Sequence, residues 1–173
     1  LIRDMVIFSL MFDSGLRIGE VEHLVIEDID LRELDGQIDE SKNNENRTIV
    51  FDDAVKSDLR FWLQVRNQLS LPPDLTSLFV SRHRGKFGRF TQSGIRRTLK
   101  KHCRLAGIVV FTPHALRHAY AGHTLRNGGN LGDIQVQLGH ADIATTAIYL
   151  KMPDEGRHER HTKSSPRKNL GKK

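Results

Sequence analysis

Apolar residues recur at helical spacing along most of this chain, and this periodicity limits the fold more than any other feature. They lie on one face of a helix in residues 2–14 and again in residues 18–24. Further helices are predicted at residues 52 or 53 to 69, 91–106, 114–126, 131–138 and 143–150. Strands are predicted at residues 26–31, 36–41 and 47–51, with a short strand or core segment at 78–80. We therefore expect a mainly α-helical fold with a small antiparallel β-sheet near the N-terminus (an α+β class).

The length of 173 residues fits one domain, which we place at residues 1–150. Residues 151–173 are polar and basic, so we expect a flexible tail there. No apolar run approaches the roughly 18 residues of a membrane span, and no signal-peptide pattern is present. Cys103 is the single cysteine, which excludes an internal disulfide and a thiolate metal cluster and favours a reducing, cytoplasmic setting. The chain opens without a methionine, as a fragment would.

The net charge of +6 is unevenly distributed along the chain. Residues 82–104 hold nine Lys or Arg and no acidic residue, and residues 151–173 hold eight basic and three acidic residues. The remainder is acidic, with ten basic and eighteen acidic residues. Concentrated basic blocks on an acidic domain indicate a polyanionic partner, nucleic acid first, although a solvated face with a flexible tail is the alternative.

The segment His114-Ala-Leu-Arg117-His118 carries side chains that suit a phosphodiester. On a helix, residues three and four apart share a face, so His114 lies beside both Arg117 and His118. A guanidinium can hold two phosphate oxygens in a fork, and an imidazole exchanges a proton near neutral pH. The alternatives are a zinc-binding histidine pair and ordinary surface histidines.

Two further motifs carry candidate functional residues. The segment Leu138-Gly139-His140 precedes Tyr149 by nine residues, and a tyrosine nucleophile needs cationic neighbours because its usual pKa is near ~10. The segment Gly15-Leu-Arg17-Ile-Gly-Glu20 puts Arg17 after a tight turn, with Glu20 able to orient it. Taken singly, the alternatives are a buried aromatic residue, a helix cap and a surface salt bridge.

In order and spacing, these motifs resemble the tyrosine recombinase (integrase) family from about residue 2 to residue 150. The resemblance implies that Arg17 and Arg117 bind the scissile phosphate and that Tyr149 attacks it, which leaves a 3′-phosphotyrosyl link. It implies that His114 is a general base or proton relay and that His140 donates a hydrogen bond to the phosphate. Glu20 and His118 have supporting roles.

The resemblance also implies a general acid on a β-hairpin. The segment Ser41-Lys42-Asn-Asn-Glu-Asn-Arg47 is similar to the family's Gly-Lys-Gly-Asn-Lys-Glu-Arg, so Lys42 takes that role. The sequence departs from the family pattern at residues 43, 45 and 46. A solvated hairpin lysine is the alternative for Lys42.

Further expectations concern cofactors and partners. The chemistry implied by the resemblance needs no metal and no other cofactor. The helix at 91–106 is expected to bind double-stranded DNA through its basic residues, which are Arg96, Arg97, Lys100, Lys101 and Arg104. A homotetramer of paired dimers on DNA, a monomer or weak oligomer without it, no membrane partner and a prokaryotic source are also implied. The family's N-terminal DNA-clamping domain is absent from these residues, so the chain alone should bind DNA weakly and nonspecifically.

Three other functions remain as alternatives. A noncatalytic DNA-binding module could keep the same fold. A zinc hydrolase could use His114 and His118 with a third ligand, but no HExxH pattern is present. A type IB topoisomerase would share the chemistry, although the Leu-Gly-His segment and the short length favour a recombinase.

Overall fold

The computed structural model describes residues 2–40 and 45–139. Its helices are α1 (Ile2–Ser14), α2 (Ile18–His23), α3 (Asp53–Asn67), α4 (Gln92–Leu105), α5 (Pro113–Arg126) and α6 (Leu131–Leu138). Its strands are β1 (Ile29–Asp30), β2 (Asp35–Glu40), β3 (Glu45–Val50), β4 (Val80–His83) and β5 (Lys86–Arg89). The prediction of a mainly helical fold with a small antiparallel sheet near the N-terminus is confirmed. The predicted helix at 143–150 and the tail at 151–173 lie outside the described residues.

Strands β1, β2 and β3 form the antiparallel sheet in sequence order, with Ile29 opposite Gly36 and Ile38 opposite Arg47. The prediction of a strand over residues 26–31 is wrong in its first half, since Ile26–Asp28 is a turn of 3-10 helix. The Asp28 carboxylate accepts a hydrogen bond from the Val25 backbone N–H at 2.8 Å. A short acidic side chain that accepts a hydrogen bond from the nearby backbone favours a turn over a strand.

A second hairpin, β4–β5, was not predicted from the sequence. Its two-residue turn is Arg84-Gly85, and both residues have positive φ, at 47° and 83°. Such turns usually contain Asn-Gly or Asp-Gly, and an arginine in the left-handed region is uncommon. The hairpin leads directly into α4 and carries four of the nine basic residues of the 82–104 block.

The main core surrounds α1, which packs against α3 and α5. Its fully buried side chains include Ile7, Leu10, Leu59 and Phe79. A second, smaller cluster joins α5 to α6 through Ala121, Ile134 and Leu138, with Tyr120 and Leu125 packed against it. Nothing in the described ranges has the length and apolar character of a membrane-spanning helix.

Side chains and a glycine cap several of the helix ends. Asp52, rather than Asp53, caps α3 by accepting a hydrogen bond from the Val55 N–H at 2.9 Å. Thr91 caps α4 through the Gly94 N–H at 3.2 Å. Gly139 ends α6 in the left-handed conformation, with a φ of 60°. The last carbonyls of α6 therefore lie at a helix end, where they have no intrahelical partners.

Candidate active site and nucleic-acid interface

Arg117 lies on the second turn of α5, and only 2% of it is exposed. Its Nη1 donates to the Gly15 carbonyl at 2.6 Å, and its Nη2 donates to the Leu138 carbonyl at 2.5 Å. A buried guanidinium needs such acceptors, since its charge would otherwise be left without compensation. Arg117 thereby joins the turn after α1 to the end of α6.

The turn at Gly15 requires a glycine for two reasons. Its φ is +68°, and a Cβ at this position would lie 2.5 Å from Leu138 Cδ2 and 2.7 Å from Tyr120 Cδ1. The close approach of α5 and α6 to this backbone leaves no room for a side chain. As a result, the Gly15 carbonyl is held against Arg117 and the next residues start α2.

Arg17 occupies the N-cap position of α2, and its side chain is 41% exposed. Its Nη1 donates to Glu20 Oε1 at 2.9 Å and its Nη2 to the Gly139 carbonyl at 2.9 Å. Glu20 also accepts from the Arg17 backbone N–H at 2.6 Å. The Glu20 side chain is only 10% exposed, so this contact differs from an ordinary surface salt bridge.

Arg47 is the residue of this site that the sequence analysis did not identify. Its side chain is 8% exposed and forms a two-point fork on Glu20, with both N–O distances at 2.9 Å. Its Nε donates to the Gln137 carbonyl at 3.1 Å. The available signal was its place in β3, where alternation with the buried Ile49 puts both side chains on the inner face of the sheet.

Opposing effects act on the Glu20 carboxyl. Burial raises its pKa, but the hydrogen bonds and positive charges of Arg47 and Arg17 outweigh burial and hold the pKa below its ordinary value of 4.5. Glu20 is therefore a carboxylate at neutral pH, with two guanidiniums around it.

Three arginines from three elements thus bind three consecutive carbonyls at the end of α6. Arg47 binds the carbonyl of residue 137, Arg117 that of residue 138 and Arg17 that of residue 139. The last carbonyls of a helix lack intrahelical partners and carry partial negative charge, so cations are stabilised there. Glu20 contacts two of these arginines, so these four side chains together carry more positive than negative charge.

His114 and His118 lie on the same face of α5 as each other, as predicted, with ring centroids 4.3 Å apart in an edge-to-face arrangement. His114 is exposed and His118 is half-buried. Burial, followed by the charges of His114 and Arg117, lowers the pKa of His118 from its usual 6.5. His118 is therefore neutral at pH 7 and can accept a hydrogen bond.

Three predicted catalytic residues, Lys42, His140 and Tyr149, lie outside the described residues. The chain's other tyrosine, Tyr120, packs beside Gly15. Burial raises its pKa, and the charges of Asp13 and Asp133 add to this despite a hydrogen bond with Thr124. A phenol with a raised pKa is a poor nucleophile, so Tyr120 is unsuited to that role.

The basic residues predicted to bind DNA all lie on the solvent face of α4. Arg96, Arg97, Lys100, Lys101 and Arg104 are exposed. The buried side chains of the helix include Ile95, Leu99 and Cys103, which confirms the inward face predicted from Ile95 and Leu99. Four of the five basic residues line one surface pocket with Leu105. Within the ranges 2–40 and 45–139, no three His, Cys, Asp or Glu side chains come together as a metal site.

Comparison with known proteins shows which family this chain resembles in sequence and fold. The phage integrase family model matches residues 1–155. Tyrosine recombinase XerC of Alcanivorax borkumensis is 36% identical over 149 residues, which are 86% of this chain and 47% of that protein. The crystal structure of XerA recombinase has a TM-score of 0.81 and 36% identity, covering 95% of this chain and 59% of its own.

The catalytic domain of bacteriophage HP1 integrase shares the fold, with a TM-score of 0.65 at 22% identity, over 96% of this chain and 84% of its own. This chain spans about half the length of the curated relatives it matches, for instance 47% of the XerC protein. The family model covers every described residue of the site. The protein belongs to the phage integrase family of tyrosine recombinases.

Proposed function

We propose that residues 1–150 are the catalytic domain of a site-specific DNA recombinase that cuts and rejoins DNA through a phosphotyrosyl intermediate. The observation that carries the proposal is the convergence of Arg17 and Arg117 on the adjacent carbonyls of Leu138 and Gly139. Two guanidiniums held this close can bind one phosphate and stabilise the charge of its pentacoordinate transition state. Membership of the family supports the same assignment.

In the proposed reaction, the Tyr149 phenol oxygen attacks the scissile phosphorus. The new P–O bond links the tyrosine to the phosphate at the 3′ end of the cut strand. The bond from phosphorus to the 5′ oxygen breaks, and Lys42 donates a proton to that oxygen. His114 takes up the phenol proton, and His140 donates a hydrogen bond to the phosphate. A 5′ hydroxyl from another strand then reverses these steps, so joining needs no external energy source.

DNA is the proposed partner, and α4 is its proposed contact. Two solved relatives that share the fold at 24% identity are described as XerH recombinase bound to its difH substrate. On this chain, the five exposed cations of α4 supply a matching surface, since most protein–DNA contacts involve phosphates. We propose that four copies of the complete protein assemble on DNA as paired dimers, while this chain alone binds weakly and loses affinity steeply with salt.

A nicked duplex that traps the cleaved strand tests the proposed function. The chain should form a covalent protein–DNA adduct in the presence of EDTA, and Tyr149→Phe should abolish it. Arg117→Lys should reduce the adduct strongly, because a lysine cannot reproduce the two-point contact of the guanidinium. DNA hydrolysis that needs zinc and survives Tyr149→Phe would instead support a zinc hydrolase, and binding without adduct would support a noncatalytic module.

A further inference from the structure

We infer that Arg47 is a positioning residue for cleavage, which acts on Arg17 through the carboxylate of Glu20. The inference rests on the proposed function. It starts from a geometric fact: Glu20 is shared between the more exposed Arg17 and the buried Arg47, whose Nε, Nη1 and Nη2 all donate to Gln137 or Glu20. The Arg17 side chain is 41% exposed, while that of Arg47 is 8% exposed.

The first step of the argument concerns charge. Without Arg47, Glu20 and Arg17 would form a one-to-one ion pair whose charges cancel, and the carboxylate would repel an incoming phosphate. With Arg47 occupying both oxygens of Glu20, the group of three keeps one net positive charge. Arg47 therefore offsets the negative charge of the carboxylate that Arg17 contacts.

The second step concerns geometry. A fork with two 2.9 Å contacts fixes the plane of the carboxylate, and Arg17 must meet that plane with its own Nη1 and backbone N–H. The Arg47 Nε is anchored on the Gln137 carbonyl. The position of Arg17 is thus tied to the end of α6.

The third step is that the Gln137 side chain also binds strand β3. Its buried side chain accepts a hydrogen bond from the Val50 N–H at 3.1 Å and donates one to the Val50 carbonyl at 2.7 Å. An amide that pairs with both backbone groups of one residue imitates a neighbouring strand. The contacts between strand β3 and helix α6 therefore fix the position of the Arg47 side chain. Through Glu20, Arg47 in turn fixes the position of Arg17.

Single-turnover adduct formation on the nicked duplex tests the inference, with each rate taken per folded molecule from circular dichroism. Arg47→Met should slow cleavage about 10- to 100-fold, the range that is typical when residues that orient metal ligands are removed. DNA affinity should stay within about twofold, since the α4 cations are untouched. Arg47→Lys keeps the charge but not the fork, so it should restore part of the rate.

The matched control is Arg66→Met. Arg66 is also buried, and it donates to the carbonyls of Leu75 and Ser77 away from the site. This change should lower the melting temperature and leave the cleavage rate of the folded fraction unaltered. A loss of rate equal to that of Arg47→Met would mean that any buried arginine matters, and would overturn the inference.

Two readouts separate positioning from simple structural support. If Arg47 acts through Glu20, the double variant Glu20→Gln/Arg47→Met should be no slower than the slower single variant, whereas independent roles would multiply the losses. The rate of Arg47→Met relative to wild type should also rise as pH falls towards about 5, because Glu20 without Arg47 takes up a proton more easily. A flat ratio would contradict the inference.

One measurement does not depend on cleavage. The pKa of the Glu20 carboxyl, followed by NMR, should lie below its ordinary value in wild type and rise in Arg47→Met. If wild type forms no adduct but this pKa rises, the proposed function fails while the Arg47–Glu20 coupling stands. If wild type cleaves and Arg47→Met cleaves equally well, only the inference about Arg47 fails.

Discussion

Backbone oxygens bind the deeper of the two candidate phosphate-binding arginines. Arg117 donates to the carbonyls of Gly15 and Leu138, which compensate for the loss of water around its buried guanidinium. Arg17 has Glu20 as a partner, but Arg47 shares that carboxylate. A site of this kind is prepared for an anion before the anion arrives, which lowers the reorganisation that binding would otherwise need.

Gly15→Ala should destabilise the protein by about 2–4 kcal/mol, as measured by urea unfolding. About 1 kcal/mol comes from forcing a Cβ into the left-handed region, and the rest comes from overpacking against Leu138 and Tyr120. Gly107→Ala is the matched control, since Gly107 also has positive φ but a Cβ there would meet nothing within 4 Å. Equal losses for both variants would show that the packing around Gly15 is looser than described.

The lowered pKa of His118 makes stability depend on pH. The unfolded chain binds a proton to this imidazole near its usual pKa of 6.5, while the folded protein binds it only at lower pH. Stability should therefore fall as pH drops from about 7 through the unfolded and then the folded pKa. In His118→Gln, the melting temperature should decline less between these pH values, and an unchanged decline would contradict the prediction.

Helices are the elements that the sequence predicted best, because periodicity and caps are local signals. The N-cap of α4 at Thr91 and the extent of α6 both agree with the structure. The β4–β5 hairpin was missed because Arg84 adopts a turn conformation that its residue type does not favour. Arg47 was missed as a site residue for a different reason: strand alternation indicates that its side chain points inward, but not that it contacts Glu20 and Gln137, which are far away in sequence.

The α4 helix should set the salt dependence of DNA binding. Lys100→Gln or Arg97→Gln should each reduce the slope of log affinity against log salt by about 0.9, because one phosphate contact is lost. Fluorescence anisotropy with a labelled duplex measures that slope. The control is Arg60→Gln, which removes the same charge from an exposed position on α3 and should leave the slope unchanged. Equal effects would mean that net charge, rather than α4, drives binding.

The whole described molecule has a large core around α1 and a small one between α5 and α6. The arginines of the candidate site connect the two: Arg17 and Arg47 belong to elements of the large core, while the carbonyls that they bind lie at the end of α6. The long-range arrangement that brings Arg17 to Gly139 could not be derived from composition or periodicity. The resemblance to a family implied that Arg17 and Arg117 bind one phosphate, but it did not imply this contact, since contacts between distant segments leave no local trace in the sequence.

Native-state hydrogen exchange should reveal the difference between the two cores. Amides of α6 should open at a lower free energy than those of α1, where Val6, Ile7, Leu10 and Met11 are each at most 1% exposed. Binding of a DNA duplex should slow exchange in α6 more than in α1, because an anion between Arg17 and Arg117 strengthens the contacts at its end. Equal opening free energies in α1 and α6 would contradict the prediction that the small core is less stable than the large one.

Mapping the protein–DNA adduct to a residue tests the central claim most directly. After trapping on a nicked duplex and digestion of the DNA, peptide mass spectrometry should find the remaining nucleotide on Tyr149. The two tyrosines of the chain, Tyr120 and Tyr149, fall in separate tryptic peptides, so the assignment is unambiguous. An adduct on Tyr120, on a histidine or on a serine would contradict the account.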